Sequence, residues 1–294
     1  MTIPLSLLNE LRTVLGTDLE PGTGVGGGCI NNATRARLGD GREVLVKWRG
    51  RTPPGMFTVE QRGLSLLAAS QALRVPQVYA ADDPAADRPG FIVLEWLGRG
   101  STSPRIDETL GQGLAQLHRT TGPHYGLDHD NYIGANPQPN TPGGDWVSFF
   151  GQQRLGYQME LAAQNGYLSS RRRQLLERLI GRLSDFLPAS PPASLLHGDL
   201  WGGNWLVTST GEPALIDPAV YYGDREAELA FTELFGGFSR PFYEAYQAAW
   251  PLEPGYSERK ALYNLYHLLN HLNLFGEGYG SQVEAVLARY DRSR

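Results

Sequence analysis

The sequence predicts an α+β chain of two lobes, a small strand-rich one over residues 1–96 and a larger, mostly helical one over 97–294. Three observations predict it. Alternating and β-branched runs crowd into the first 95 or so residues, whereas beyond Gly98–Gly100 apolar residues recur at helical spacing. Between the two lies a short glycine-bearing segment, 95–100, which reads as a hinge.

The elements justify themselves in order. "MTIPLSLLNELRTVL" opens the chain with Leu5, Leu8, Leu11 and Leu15 spaced as one face of an amphipathic helix. "EVLVKW" (43–48) alternates like a strand, and "FIVLEW" (91–96) is an apolar run of the kind a buried strand carries. Between them "MFTVEQRGLSLLAASQAL" (56–73) has helical spacing, and "VPQVYA" (75–80) reads as a short strand begun by Pro76. Helices are expected over 104–120, 145–164, 169–187, 224–235 and 257–275, with short strands near 203–207 and 213–216. The Pro/Gly/Asn-rich stretch 126–145 is expected to be a long loop, of a length that is usually functional or mobile.

Composition removes several classes of function. A chain of 294 residues with 41% hydrophobic and 19% charged residues can bury a sizeable core. A net charge of −5 leaves no basic field for nucleic acid, and the one basic run, Arg171–Arg173, reads as a solvated helix face. No apolar run is long enough to span a bilayer, and nothing resembles a signal peptide. The single cysteine, Cys29, excludes an intramolecular disulfide and fits a reducing compartment, so a cytoplasmic location is expected.

Chemistry gathers in five places. The glycine-rich stretch "PGTGVGGGCINNATRARL" (21–38), in which Gly22, Gly24 and Gly27 match G-x-G-x-x-G, precedes a strand lysine, Lys47. Glu60 follows 13 residues later on a helix, and then comes the apolar strand that runs into the hinge. "HGDLWGGNW" then sets Asp199 five residues before Asn204, and 13 residues beyond that "ALIDPA" carries Asp217. This is the order of parts that phosphoryl transfer from ATP requires. Glycine backbone can approach phosphates closely, a strand lysine supplies a point charge to them, and a helix glutamate fixes that lysine's direction. Asp199 would take the proton of the attacking hydroxyl, while Asn204 and Asp217 offer the oxygen ligands that Mg²⁺ prefers. Singly, each piece has a plain structural reading: a hairpin turn, a solvated lysine, a turn-forming Asp-Gly-Asn run. The D-x-x-x-x-N spacing of the catalytic loop is the most specific, and the ordered set is stronger than any member.

Pro218 directly after Asp217, and "EAEL" only nine residues further on, leave no room for the activation segment of a protein kinase. Small-molecule phosphotransferases lack it too. "GGGCINNATRARL", "VLVKW", "MFTVEQRGLSLL", "LLHGDLWGGNW", "LIDPAVYYGDREAELAFTELFGGF" and "LYHLLNHLNLFG" together resemble the fructosamine-3-kinase (ketosamine-3-kinase) family, from about residue 20 to 280. The resemblance implies a bilobal protein-kinase-like fold with ATP and Mg²⁺ as cofactors. It also implies phosphoryl transfer to the O3 hydroxyl of a ketosamine on a free or protein-linked amine. The resulting 3-phosphate is unstable and releases the amine, a deglycation.

Carried onto these positions, the resemblance makes Asp199 the base and Asn204 with Asp217 the metal ligands. Lys47 with Glu60 becomes the phosphate clamp, and Gly26, Gly27, Gly28 and Cys29 the phosphate-facing loop. The backbone of Glu95 and Leu97 would hold the adenine edge. Trp201, Tyr222, Asp224, His267, Asn270 and His271 are candidates for the acceptor, each with an alternative reading as a packing residue. Glu228 is expected to support the catalytic loop from beneath. Cys29 is either a small filler or a redox handle whose disulfide would have to join two chains, as a homodimer rather than a monomer. The competing functions are an aminoglycoside- or choline-type phosphotransferase, and an ATP-binding pseudokinase.

Overall fold

A computed structural model describes residues 3–26, 31–50, 52–84 and 88–292. The chain divides into two compact units, one of Met1–Ile106 with Gly203–Pro218, the other of Asp107–Gly202 with Ala219–Arg294.

The first unit is built on a five-stranded antiparallel sheet. After helix α1 (Leu5–Leu15) come β1 (Leu19–Gly24), β2 (Asn32–Leu38) and β3 (Glu43–Arg49). Helix α2 (Met56–Ala69) and strands β4 (Val78–Asp82) and β5 (Gly90–Glu95) follow, giving the strand order β1-β2-β3-β5-β4. Strand alternation sorts the side chains. Val44, Val46 and Trp48 join Leu7, Leu11, Phe91 and Val93 in one core, which sends Lys47 to the opposite face. In α1 the buried positions are Leu7 and Leu11, with Leu8 and Leu15 packed at the edge, whereas Leu5 is 71% exposed. The apolar stripe is therefore centred on Leu7–Leu11, and Leu5 lies outside its arc on the 3.6-residue wheel.

The segment 203–218, placed with the helical lobe on sequence grounds, packs within the first unit. It is a hairpin of strands Trp205–Val207 and Pro213–Leu215 with Trp205 opposite Leu215. Backbone bonds tie it to residues 74–100: Gly100 N–H to the Val207 carbonyl (2.8 Å), Ser209 N–H to Leu97 (2.9 Å), and Leu215 N–H to Arg74 (2.9 Å).

The second unit is mainly helical. Helix Arg225–Leu234 packs on Tyr256–Phe275, which also meets Tyr157–Gln164; Ser170–Ile180 packs on Gly280–Arg292. Trp146, Phe149, Phe150, Leu176, Tyr263, Tyr266 and Leu269 are among the buried core residues. A short antiparallel ribbon, Ser194–Leu196 with Tyr221–Gly223, runs through this unit and delivers the chain to His197. The stretch expected as one helix over 145–164 begins at the Asp145 cap, passes through a π-helical turn (Phe150–Gly156) and resumes as α-helix. Helices Arg240–Ala249 and Gly280–Arg292 are additional to the sequence expectation. The 126–145 loop contains a ribbon of Asn131–Ile133 with Asn136–Gln138 and is tied down by the buried side chains of Asn131, Gln138 and Asn140. Among the described residues no helix is long and apolar enough to cross a membrane.

Gly111, in helix Pro104–His118, lets the helix lie directly against the Arg240–Ala249 helix: a Cβ there would sit 2.2 Å from the Phe242 carbonyl oxygen. Backbone cannot move aside as a side chain can, so Gly111→Ala should cost about 1–3 kcal/mol of stability. A lower thermal midpoint with unchanged turnover below it is the expected result; an unshifted midpoint would refute this packing.

Candidate active site

In the first unit the sheet and α2 deliver a lysine to two carboxylates. Lys47, 8% exposed, donates to Glu60 Oε1 at 2.9 Å and also to Asp217 Oδ1. Burial by itself would lower the lysine pKa, but the Asp217 and Glu60 charges outweigh it and hold the ammonium above its ordinary range. Glu60 is pushed up by its own burial, against the pull of Lys47.

The Trp205–Val207/Pro213–Leu215 hairpin explains the 13-residue spacing between Asn204 and Asp217. Asn204 immediately precedes one strand and Asp217 follows the other by two residues, so both stand at its open end. The Ile216 N–H donates to the Asn204 carbonyl at 3.0 Å, which holds the two ends side by side. Asn204 is buried, whereas the Asp217 side chain is 41% exposed on a backbone with φ +55°, in the left-handed region that Asp tolerates better than most residues.

Gly26 has open space where a Cβ would stand, while Gly27, Gly28 and Cys29 lie outside the described residues. At the hinge, the Glu95 N–H is given to the Gln77 carbonyl (2.8 Å) and the Leu97 carbonyl accepts from Ser209 N–H. The Glu95 side chain pairs with Arg74.

In the second unit the His197–Gly198 turn before Asp199 rests on a buried carboxylate. Glu228 Oε1 accepts from Gly198 N–H at 2.6 Å, and Oε2 accepts from His197 N–H at 3.1 Å. His118 Nε2 meets the same carboxylate at 2.9 Å, its Nδ1 lies 2.8 Å from the Tyr246 hydroxyl, and Arg225 also donates to that hydroxyl (3.2 Å). Burial would raise the Glu228 pKa, but His118 and the loop donors win, and the carboxyl is held below its ordinary value. Gly198 has φ +83°, and a Cβ there would lie 1.9 Å from the Ala219 oxygen, so only glycine fits the residue before Asp199. Asp199 N–H donates to His197 Nδ1 at 3.3 Å, which leaves the ring proton on Nε2.

The acceptor candidates separate by what their side chains already do. Trp201 is 39% exposed beside Gly202, whose backbone lies against Gly237; a Cβ on Gly237 would be 2.5 Å from the Gly202 Cα. That close approach accounts for Gly202 and Gly237, whereas Gly236 has open space around it and is set apart by its φ of +73°. Asp224 is buried, caps helix Arg225–Leu234 by accepting from Glu226 N–H (3.0 Å), and accepts from Tyr263 hydroxyl (2.5 Å). Tyr222 packs its ring over Gly122, where a Cβ would be 2.8 Å from the ring. Asn270 is buried and accepts from Asn136 (2.9 Å) and Gln158 (3.3 Å). His267 stacks on Phe231 with ring centroids 3.5 Å apart, and burial drives its pKa well down, so it is neutral. His271, also lowered by burial, turns Nδ1 to the His267 carbonyl (2.8 Å) and keeps partial exposure. Sequence reasoning missed His118, Arg154, Asn131 and Gln138, whose only signal was polar character at positions that turn out to be buried.

Glu228→Gln removes the charge but not the shape. It should cost about 3 kcal/mol, the scale of breaking a buried charged network, and lower turnover. Because the folded pKa is depressed, the carboxylate's stabilisation is complete above about pH 4.5, the ordinary value, and is lost as pH falls through the folded one. Denaturation of wild type and variant across pH 3–7 should therefore show a gap that closes on the acid side; a constant gap would exclude this role.

Comparison with known proteins places the chain in a family. The fructosamine kinase family matches residues 7–292. A probable ketoamine kinase from Synechocystis is 43% identical over 90% of this chain and 88% of its own. A chloroplastic protein-ribulosamine 3-kinase from Oryza sativa is 39% identical, over 91% and 78% respectively. A candidate fructosamine-3-kinase structure from Thermobifida fusca superposes with a TM-score of 0.88 at 30% identity, covering 98% and 99%. A Streptococcus pneumoniae choline kinase, at 16% identity and TM-score 0.62, shares the fold. The chain belongs to the fructosamine kinase family.

Proposed function

We propose that this kinase transfers the γ-phosphoryl group of ATP to the O3 hydroxyl of a ketosamine, the sugar adduct of a free or protein-linked amine. The observation that carries the reading is Lys47 held between Glu60 and Asp217, the arrangement of a phosphate-binding lysine with its orienting glutamate. The names of the relatives, ketoamine kinase and protein-ribulosamine 3-kinase, support the acceptor class.

In this reading the acceptor oxygen attacks the γ-phosphorus, the bond to the β-phosphate oxygen breaks, and Asp199 receives the hydroxyl proton. Gly198 and Glu228 set the direction of Asp199. Lys47 gives its charge to the phosphates of the nucleotide, and the Leu97 N–H, whose carbonyl is already used by Ser209, is the hinge group offered to adenine.

The residues present fit Mg²⁺. Asn204 and Asp217 are oxygen donors at one end of one hairpin, and among the described residues no cluster of three His, Cys, Asp or Glu could hold a metal unaided. That suits an ion shared between few protein oxygens and the nucleotide phosphates. When bound, it neutralises charge on those phosphates.

ADP release from Mg·ATP, measured with ribulose-lysine, fructose-lysine, kanamycin and choline, tests the proposal. Turnover is expected on at least one lysine adduct, and Asp199→Asn should lower kcat about 10³-fold with nucleotide binding retained. Turnover confined to kanamycin or choline would discard the ketosamine assignment. Lys47→Met should weaken both kcat and the KM for ATP; an unchanged enzyme would remove the lysine from the site.

A further inference from the structure

Arg154 is wholly buried in the π-helical turn, and among the described residues no ion pair joins it to a carboxylate. Its guanidinium lies over the rings of Tyr221 (4.0 Å), Phe149 (4.7 Å) and Tyr266 (5.5 Å). Burying a cation on these terms is costly, and a methionine would fill much the same space without that cost. π-Helical turns are rare and concentrate at functional sites.

The use of the charge is visible in what it donates to. Arg154 gives hydrogen bonds to the Pro139 carbonyl (2.6 Å) and to Asn140 Oδ1 (2.7 Å). With Oδ1 so engaged, Asn140 Nδ2 faces Asn131 Oδ1 (2.9 Å), which also accepts from Gln138 Nε2 (2.8 Å). Asn131 Nδ2 is then free to donate to the Val220 carbonyl (2.8 Å), and Gln138 Nε2 donates to Ala219 (3.0 Å) while its Oε1 accepts from Tyr266 hydroxyl (2.7 Å). Ala219 in turn gives its N–H to the His197 carbonyl (2.8 Å) and sets its oxygen against Gly198. A side-chain amide can turn over and exchange donor for acceptor; arginine has no acceptor at all. Arg154 is thus the donor-only end of the relay, and the acceptor-only carbonyls of His129 (3.2 Å from Asn140 Nδ2), Val220 and Ala219 hold the three amides in the matching direction.

We propose that Arg154 is a positioning residue for phosphoryl transfer: it orients the Asn140–Asn131–Gln138 relay that clamps Ala219 and Val220, and through Ala219 the His197–Gly198 turn that presents Asp199. The proposal rests on the reading of Asp199 as the base. Its effect is expected on turnover and not on substrate affinity, because the relay's bonds end on the Val220 and Ala219 backbone, which is bonded to the turn before Asp199.

The test compares Arg154→Met, Arg154→Lys, Asn140→Asp and the double variant Arg154→Met/Asn140→Asp with wild type. Turnover, both KM values and melting midpoints are measured, with kinetics run well below each midpoint. Arg154→Met should lower kcat roughly 30-fold with KM for ATP and acceptor within about threefold, the pattern of a lost transition-state alignment. Arg154→Lys, still donor-only, should stay within about fivefold of wild type. Asn140→Asp keeps a partner for Arg154 but lacks the amide donor, so it should lose kcat as Arg154→Met does. The double variant should be no worse than the poorer single one, as for residues acting in one unit. Wild-type kcat in folded Arg154→Met, equal impairment by Lys and Met, or multiplying effects in the double variant would each overturn the proposal. Should Arg154→Met fail to fold, wild-type kcat in Asn140→Asp overturns it alone. The ratios are read on whichever acceptor the wild type uses. Silence on ketosamines with turnover of another alcohol therefore sinks the acceptor assignment and leaves this test standing.

Discussion

The Glu228 carboxylate is the constraint around which the helical unit is arranged. It is buried, and it accepts from two consecutive backbone N–H groups of the turn before Asp199 and from the ring of His118. Consecutive N–H groups can converge on one carboxylate only if the backbone turns sharply, and the φ of +83° at Gly198 supplies that turn. A carboxylate in such a place is stable only while ionised and fully bonded. The second layer follows from that requirement: Tyr246 fixes His118, Arg225 fixes Tyr246, and Arg225 is itself anchored on the Trp250 and Pro251 carbonyls.

The sheet unit solves a comparable problem with the opposite charge. Lys47 could not stay protonated in a buried position without the two carboxylates that meet it. Glu60 comes from a helix and Asp217 from the end of a hairpin, so three separate elements have to be in register for the cation to be held. In the proposed function, the pairing with Asp217 is one that the nucleotide's phosphates compete for, since their oxygens carry the same charge.

Much of this was legible in the chain, for identifiable reasons. Lys47 alternates with Val46 and Trp48, and strand alternation alone puts it on the face away from the core those two residues join. The spacing of Asn204 and Asp217 is a hairpin's length, and glycine before Asp199 marks a position where only glycine fits. Other readings changed for physical reasons. Asp224 has the composition of a substrate ligand but sits where a helix begins, and the unsatisfied N–H groups there claim its oxygen. Leu5 carries the right residue type one step outside the buried arc.

What the sequence by itself determined is everything local in period or covalent spacing: the amphipathic faces, the strand that carries the lysine, the D-x-x-x-x-N loop and the glycine positions. What only the tertiary structure decided is which distant polar groups share a proton or a charge. Nothing in the order of residues pairs His118 with Glu228, or leads from Arg154 through Asn140, Asn131 and Gln138 to Ala219. The physical reason is that a hydrogen bond is selected by proximity and by exclusion of water. Both are properties of the packed core, and neither has a period along the chain.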